Sequence, residues 1–290
     1  MKLLNFFDAQ EAKALGVVEG ERLHNLTRAA GGRAEFSSLG ALLQAGEAAM
    51  AEARRLANQL TADPAHAVPL ADAKLAPLVE ADARVFCVGL NYVDHAAENN
   101  LPAPGSPIFF SKLAAVIVPH RSAIPLPAIS SQVDYEAEFA VVIGRRAFQV
   151  DEAQAKQCIA GYTIMNDVTA RDFQVRDKQW FRSKNCEGFG PMGPWMVTAD
   201  AIKDAGALQI SLSLNGETLQ KSNTSNLIFA PEKLIATLAQ TLVLRPGDVI
   251  STGTPAGIGF HRKPQVFLKA GDHMEVEIAE IGVLENSVVA

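Results

Sequence analysis

In Val133-Asp134-Tyr135-Glu136-Ala137-Glu138-Phe139-Ala140-Val141, two glutamates interrupt a run of β-prone, apolar residues. The run continues to Ile143 and stops at Gly144, which predicts a strand over residues 135–143. Side chains two apart on a strand leave the same face, so Glu136 and Glu138 project side by side. Neighbouring carboxylates repel one another and lose hydration when buried, so they need a shared proton or a cation. Oxygen donors suit a hard divalent ion, Mg2+ or Mn2+. On an arbitrary strand the same pair would face solvent, because charged side chains are seldom buried. A further carboxylate favours the first alternative. Ile164-Met165-Asn166-Asp167 puts Asp167 at the C-terminal end of another apolar run, where loops deliver functional groups. Asp172 is open between an extra ligand and a salt-bridge or helix-start role.

Outward from this stretch, residues 85–90 form a continuous apolar run that suits a buried strand. Further strands are predicted at 3–7, 16–18, from 108, and at 161–165, 210–214, 249–251, 266–268 and 274–278. Helical composition or spacing covers 38–57, 92–100, 152–159 and 227–242. Many short strands with a few helices predict a β-rich α+β fold. Pro64 and Pro69 break the early pattern, and the texture changes at Arg84. A small N-terminal domain is therefore placed at 1–75 and a second, larger one at 76–290.

Composition narrows the classes. The chain has 290 residues, 48% hydrophobic and 20% charged, enough to build a core without a disulfide or structural metal. Lys plus Arg number 26 against 32 Asp plus Glu, with no basic run, which argues against a nucleic-acid surface. Cys87, Cys158 and Cys186 are odd in number and lack CxxC spacing, which points to a reducing compartment. The first residues lack the apolar core of a signal peptide, and no run of about 18 apolar residues occurs. A cytoplasmic protein with no membrane partner is expected.

Three other motifs bear chemistry. In Gly89-Leu90-Asn91-Tyr92-Val93-Asp94-His95-Ala96-Ala97-Glu98, His95 and Glu98 share a helix face. A carboxylate beside an imidazole orients it as a general base, although an exposed pair would look the same in sequence. Lys184 precedes a Gly- and Pro-rich run and could neutralise an anionic substrate, or be a solvated lysine. Cys186 could be a nucleophile, but nothing in sequence supplies it with a base, and a free cysteine is usually a small buried hydrophobe. Ser251-Thr252-Gly253-Thr254-Pro255-Ala256-Gly257-Ile258-Gly259 is a Gly-rich loop with neither a P-loop lysine nor a dinucleotide fingerprint. Its N–H groups and the Thr254 hydroxyl could hold a carboxylate.

Taken in order, Gly89-Leu90-Asn91-Tyr92 with His95 and Glu98, Asp134 to Glu138, Asn166 to Asp172, Gly193-Pro194-Trp195 and Thr252 to Gly259 resemble the fumarylacetoacetate hydrolase family. The resemblance runs from about residue 84 to the C-terminus. It implies a mixed β-roll catalytic domain and a homodimer. Glu136, Glu138 and Asp167 match metal-ligand positions, for Mg2+ or Mn2+. His95 and Glu98 match a water-activating dyad. Lys184 matches a lysine near the substrate of acylpyruvate hydrolases, Thr254 a carboxylate-binding threonine, and Arg171 and Gln174 positions beside the substrate. The chain departs from the family pattern at Asn185-Cys186-Glu187 and at Leu90, where some members carry Arg.

The reaction implied is hydrolysis of a C–C bond in an acylpyruvate-like 2,4-dioxo acid. Water activated by His95 would attack the 4-carbonyl and break the C3–C4 bond, giving pyruvate and a carboxylic acid. Oxaloacetate decarboxylation, isomerisation and dehydration or hydrolysis of 2-keto-3-deoxy sugar acids are alternatives within the same family. A non-catalytic 2-oxo acid binding protein would keep the carboxylates but lose the dyad.

Overall fold

The computed structural model describes residues 1–98, 100 and 102–290. Its centre is the strand Ala137–Ile143, every residue of which is buried. Phe139, Val141 and Ile143 face one hydrophobic cluster with Ile164, Leu212, Val276 and Leu284. Ala140 and Val142 face another, with Leu3, Phe36, Leu42 and Met165. Burial on both faces is why the stretch reads as an almost unbroken apolar run rather than an alternating one. Each fully buried large side chain contributes roughly 1.5–3 kcal/mol. The two glutamates must therefore be held by something strong enough to keep charge in this interior.

Ala137–Ile143 pairs antiparallel with Ile159–Asn166 on one side, with Glu138 opposite Met165. On the other it pairs antiparallel with Val249–Ser251, with Ala140 opposite Ser251. Beyond Val249–Ser251 lie Arg84–Gly89, parallel to it, and the edge strand Ile108–Leu113. In the other direction Ile159–Asn166 pairs with Gly190–Thr198, which pairs with Lys2–Phe7 and so brings in Lys13–Glu19, Arg22–Asn25 and Val68–Pro69. The N-terminal strands thus continue the central sheet. A second sheet runs Glu217–Asn223, Gln209–Leu214, His273–Ile278, Gly282–Val289 and Ala123–Pro125. The architecture is the expected β-rich α+β fold.

Several expectations need correction. The helix expected at 38–57 is two helices, Leu39–Ala45 and Glu47–Ala62, separated by Gly46 at φ 82°, a conformation that suits glycine. The helix expected at 227–242 is Pro231–Ala239; Pro231 lacks an N–H and stands at the first turn, where none is needed. Residues 266–268 are not a strand: Val266 N–H donates to Gly259 C=O and Leu268 N–H to Val133 C=O, both loop bonds. The helix expected at 152–159 is Glu152–Gln157, and Ile159 already opens the next strand. The helix expected at 92–100 is Val93–Glu98, and residue 99 lies outside the described residues. Gly190–Thr198, Glu217–Asn223 and Gly282–Val289 are strands that sequence patterning missed.

Candidate metal and acid–base site

Glu138 lies on the strand Ala137–Ile143, whereas Glu136 lies in the break between Val133–Asp134 and that strand. The end of the adjacent strand fixes this break. The Glu136 N–H donates to Asn166 Oδ1 at 3.0 Å, and the Asp167 N–H donates to the Glu136 carbonyl at 2.9 Å. Glu136, Glu138 and Asp167 are thereby gathered, all buried, with one carboxylate oxygen of each within 4.8 Å of the others.

Three buried cations surround them. Lys184 Nζ donates to Glu136 Oε2 at 2.7 Å and to Asp167 Oδ2 at 2.6 Å. Lys112 Nζ donates to Asp167 Oδ1 at 2.5 Å and to the Val168 carbonyl at 3.1 Å. Arg171 donates from Nη2 to Glu136 Oε1 at 2.6 Å and from Nε to the buried Asp134 at 2.9 Å. Burial opposes ionisation of Glu136, but Lys184 and Arg171 hold its carboxyl well below the ordinary range. Burial likewise opposes a charged Lys184, and Asp167 and Glu136 push its pKa up regardless.

Glu138 differs. Among the described residues it has no cation partner; its Oε2 accepts from the Ser251 hydroxyl and from the Gly253 N–H. Burial pushes its carboxyl well above the ordinary range, and the negative charges of Asp167 and Glu136 push the same way. An unpaired buried carboxylate is costly. A three-carboxylate donor set with no thiolate or imidazole, short of one positive partner, fits a hard divalent ion held by Glu136, Glu138 and Asp167.

A cavity of about 320 Å³ opens above this floor, lined by Glu136, Glu138, Lys184 and His95 among others. Two larger hollows of about 650 and 1110 Å³ hold none of these groups, so chemistry rather than volume selects the site. His95 stands on the short helix Val93–Glu98, and its Nδ1 lies 3.1 Å from Glu98 Oε2. The other Glu98 oxygen accepts from the Gly257 N–H at 3.0 Å. Burial would raise the Glu98 pKa, but the contacts with His95 and Gly257 prevail and lower it. The geometry orients an imidazole for proton transfer.

The Gly-rich loop does bind carboxylates, but they belong to the protein itself. Gly253 N–H meets Glu138, Gly257 N–H meets Glu98, and Gly259 and Phe260 N–H groups meet Asp134 at 2.8 and 3.0 Å. Gly259 has no substitute here: a Cβ would sit 1.8 Å from the Val266 carbonyl. The Thr254 hydroxyl accepts from Gln220 Nε2 at 2.9 Å while lining the cavity. Gln174 lines it as well and accepts from Arg171 Nη1 at 3.0 Å.

All nine residues singled out from sequence therefore fall in one connected site. Asp172 stays apart, bonding Ser130 and the Phe173 N–H at the start of its helix. Burial pushes the Cys186 thiol above its ordinary range. Sequence reasoning missed Lys112, Asp134, Gln220 and His261. The apolar setting of Lys112 in Ile108-Phe109-Phe110-Ser111-Lys112 was a signal, since an unpaired lysine is seldom buried.

The sequence profile of the fumarylacetoacetate (FAA) hydrolase C-terminal region matches residues 84–289. The chain belongs to the fumarylacetoacetate hydrolase family. Relatives within the family include the mitochondrial oxaloacetate tautomerase Fahd2a of Rattus norvegicus, 46% identical over 249 residues that cover 85% of this chain and 78% of that protein. A fumarylacetoacetate hydrolase from Exiguobacterium antarcticum has a similar structure, with TM-score 0.85, 33% identity and coverage of 100% of this chain and 99% of the other. The maleylpyruvate hydrolase of Sphingobium sp. SYK-6, in complex with manganese(II) and pyruvate, matches with TM-score 0.80, 26% identity and coverage of 100% and 99%. No helix among the described residues is long and apolar enough to cross a membrane.

Proposed function

We propose that this chain interconverts the keto and enol forms of an oxaloacetate-like 2-oxo acid, with a divalent ion held by Glu136, Glu138 and Asp167. The observation that carries this is the uncompensated Glu138 carboxylate beside Glu136 and Asp167, on a cavity that also presents the His95–Glu98 pair. The tautomerase names of relatives 46% identical over 85% of the chain support the same choice of reaction. Sequence alone put hydrolysis first; those names move tautomerisation ahead of it.

In ketonisation the C2 hydroxyl loses its proton, the C2–oxygen bond becomes a carbonyl, the C2=C3 double bond becomes single, and C3 gains a proton. A bound divalent ion supplies Lewis-acid stabilisation of negative charge on the C2 oxygen. His95, oriented by Glu98, holds and delivers the proton at C3. Lys184 and Arg171 keep Glu136 charged, and Thr254 and Gln174 offer polar contacts for the acid end. Phe110 and Trp180 give the cavity an apolar wall. The test is the decay of enol-oxaloacetate absorbance with added Mg2+ or Mn2+; a rate no faster than in buffer with the same metal overturns the proposal.

Hydrolysis of an acylpyruvate is the second reading, favoured by the 3.1 Å His95–Glu98 contact suited to activating water. Pyruvate release from acetylpyruvate tests it. We also propose a homodimer and a cytoplasmic location, tested by light scattering at micromolar concentration and by fractionation.

A further inference from the structure

The cavity contains a second imidazole for which proton transfer by His95 has no use. His261 ends the short turn Gly259–His261 and lines the cavity. Its ring centroid lies 6.0 Å from that of His95 and 5.3 Å from that of Phe260. Among the described residues its side chain makes no hydrogen bond. The turn is nonetheless fixed, because Gly259 and Phe260 N–H groups donate to Asp134, the carboxylate that also receives Arg171. His261 is therefore held at a defined place above the floor, and no described residue takes up its hydrogen-bonding capacity.

The other cations of the cavity are committed. Arg171 spends Nε on Asp134, Nη1 on Gln174 and Nη2 on Glu136. Lys184 spends its ammonium on Glu136 and Asp167. Much of the remaining wall is apolar, with Leu90, Phe110, Trp180 and Phe260. A substrate whose 2-oxo acid end lies on the floor must turn its other end toward these residues and the two imidazoles. A second carboxylate at that end needs a partner that is both a donor and able to carry positive charge.

We propose that His261 is a specificity-determining residue that binds the distal carboxylate and selects dicarboxylic 2-oxo acids over monocarboxylic ones. Burial holds its imidazole below the ordinary histidine range; Glu98 and Asp134 pull the other way, while His95 and Arg171 reinforce the shift. A carboxylate brought against the ring favours its protonated form. This assignment rests on the 2-oxo acid reading of the site, so its test includes binding as well as turnover.

The experiment compares wild type with His261→Phe and His261→Gln, each Mn2+-loaded. Calorimetry gives Kd for 2-oxoglutarate and for 2-oxobutyrate; kinetics gives KM for enol-oxaloacetate and the rate of C3 deuterium exchange in pyruvate. His261→Phe should weaken 2-oxoglutarate binding and raise the enol-oxaloacetate KM by about 10- to 100-fold, the range for losing a hydrogen bond to a charged group. Binding of 2-oxobutyrate and exchange of pyruvate should change by less than about 3-fold, and His261→Gln, which keeps a donor, should fall between. Equal losses for both ligand classes, or none for either, overturn the role of His261. A wild type that binds both acids but turns over neither would instead overturn the tautomerase reading, and the ratio of the two Kd values would still decide the role of His261.

Discussion

Glu136, Glu138 and Asp167 stand on or beside strands at the centre of the molecule, and three buried cations or a strand hydroxyl meet them. His95, which is buried, and Glu98 and His261, which are partly open to solvent, stand on a short helix and a loop turn and are held by a few backbone and side-chain bonds. The two layers face each other across one small cavity. In the floor, moving any charge exposes another buried charge, so position and stability are inseparable. At the rim, a side chain can change with little effect on the core, so the consequence appears in rate and selectivity instead. The difference predicts which measurement should respond to a change in each layer.

Metal removal should have the largest effect. EDTA should abolish catalysed tautomerisation and Mg2+ or Mn2+ should restore it, while Glu138→Ala should lose most of the calorimetric Mn2+ affinity. Full activity after exhaustive chelation would leave the floor a purely structural charge cluster. Next comes the rim. His95→Ala should slow tautomerisation by about 10²–10⁴-fold, the usual worth of a general acid or base, with little change in melting temperature. If the melting temperature fell as far as for floor variants, His95 would belong with the floor and the contrast would fail.

Arg171→Met should show the opposite signature. It leaves Asp134 and Glu136 buried with one cation fewer, and breaking a buried pair costs about 3–5 kcal/mol. Urea denaturation of the metal-free protein measures this, and a loss below about 1 kcal/mol would mean the cluster tolerates an uncompensated charge. The smallest effect concerns Glu98. Its folded pKa is lowered by His95 and Gly257 against the pull of burial. The unfolded chain therefore binds more protons around the ordinary glutamate range. The contribution of Glu98 is fully present above that range and is lost as pH falls through the folded value. Glu98→Gln should flatten this part of the stability–pH curve, by less than about 1 kcal/mol for a half-open group. An unchanged curve would remove Glu98 from the charged partners of His95.

Much of the site was legible because its key spacings are local. Glu136 and Glu138 are two apart, and His95 and Glu98 are three apart, so backbone periodicity alone brings each pair together. Glu136 reached its place by a different route from the one expected, in a break before the strand rather than on it, yet the pair still converges. Gly190–Thr198 was hidden by Pro191 and Pro194, which discourage a strand assignment; its pairing with Ile159–Asn166, Lys2–Phe7 and Ile117–Val118 overrides that local bias.

The sequence by itself determined the β-rich class, the two carboxylate-bearing segments and the imidazole–carboxylate pair, because each follows from residue type and short-range periodicity. Only the tertiary structure decided which cations serve which carboxylates, that Glu138 is the one with no cation partner among the described residues, and that His261 faces His95. Lys112 meets Asp167 from the edge strand, and Asp134 ties Arg171 to the Gly-rich loop, across long separations in sequence. Those meetings depend on the order and register of strands in the sheet. Such register is set by the packing of the whole core and has no local period to read.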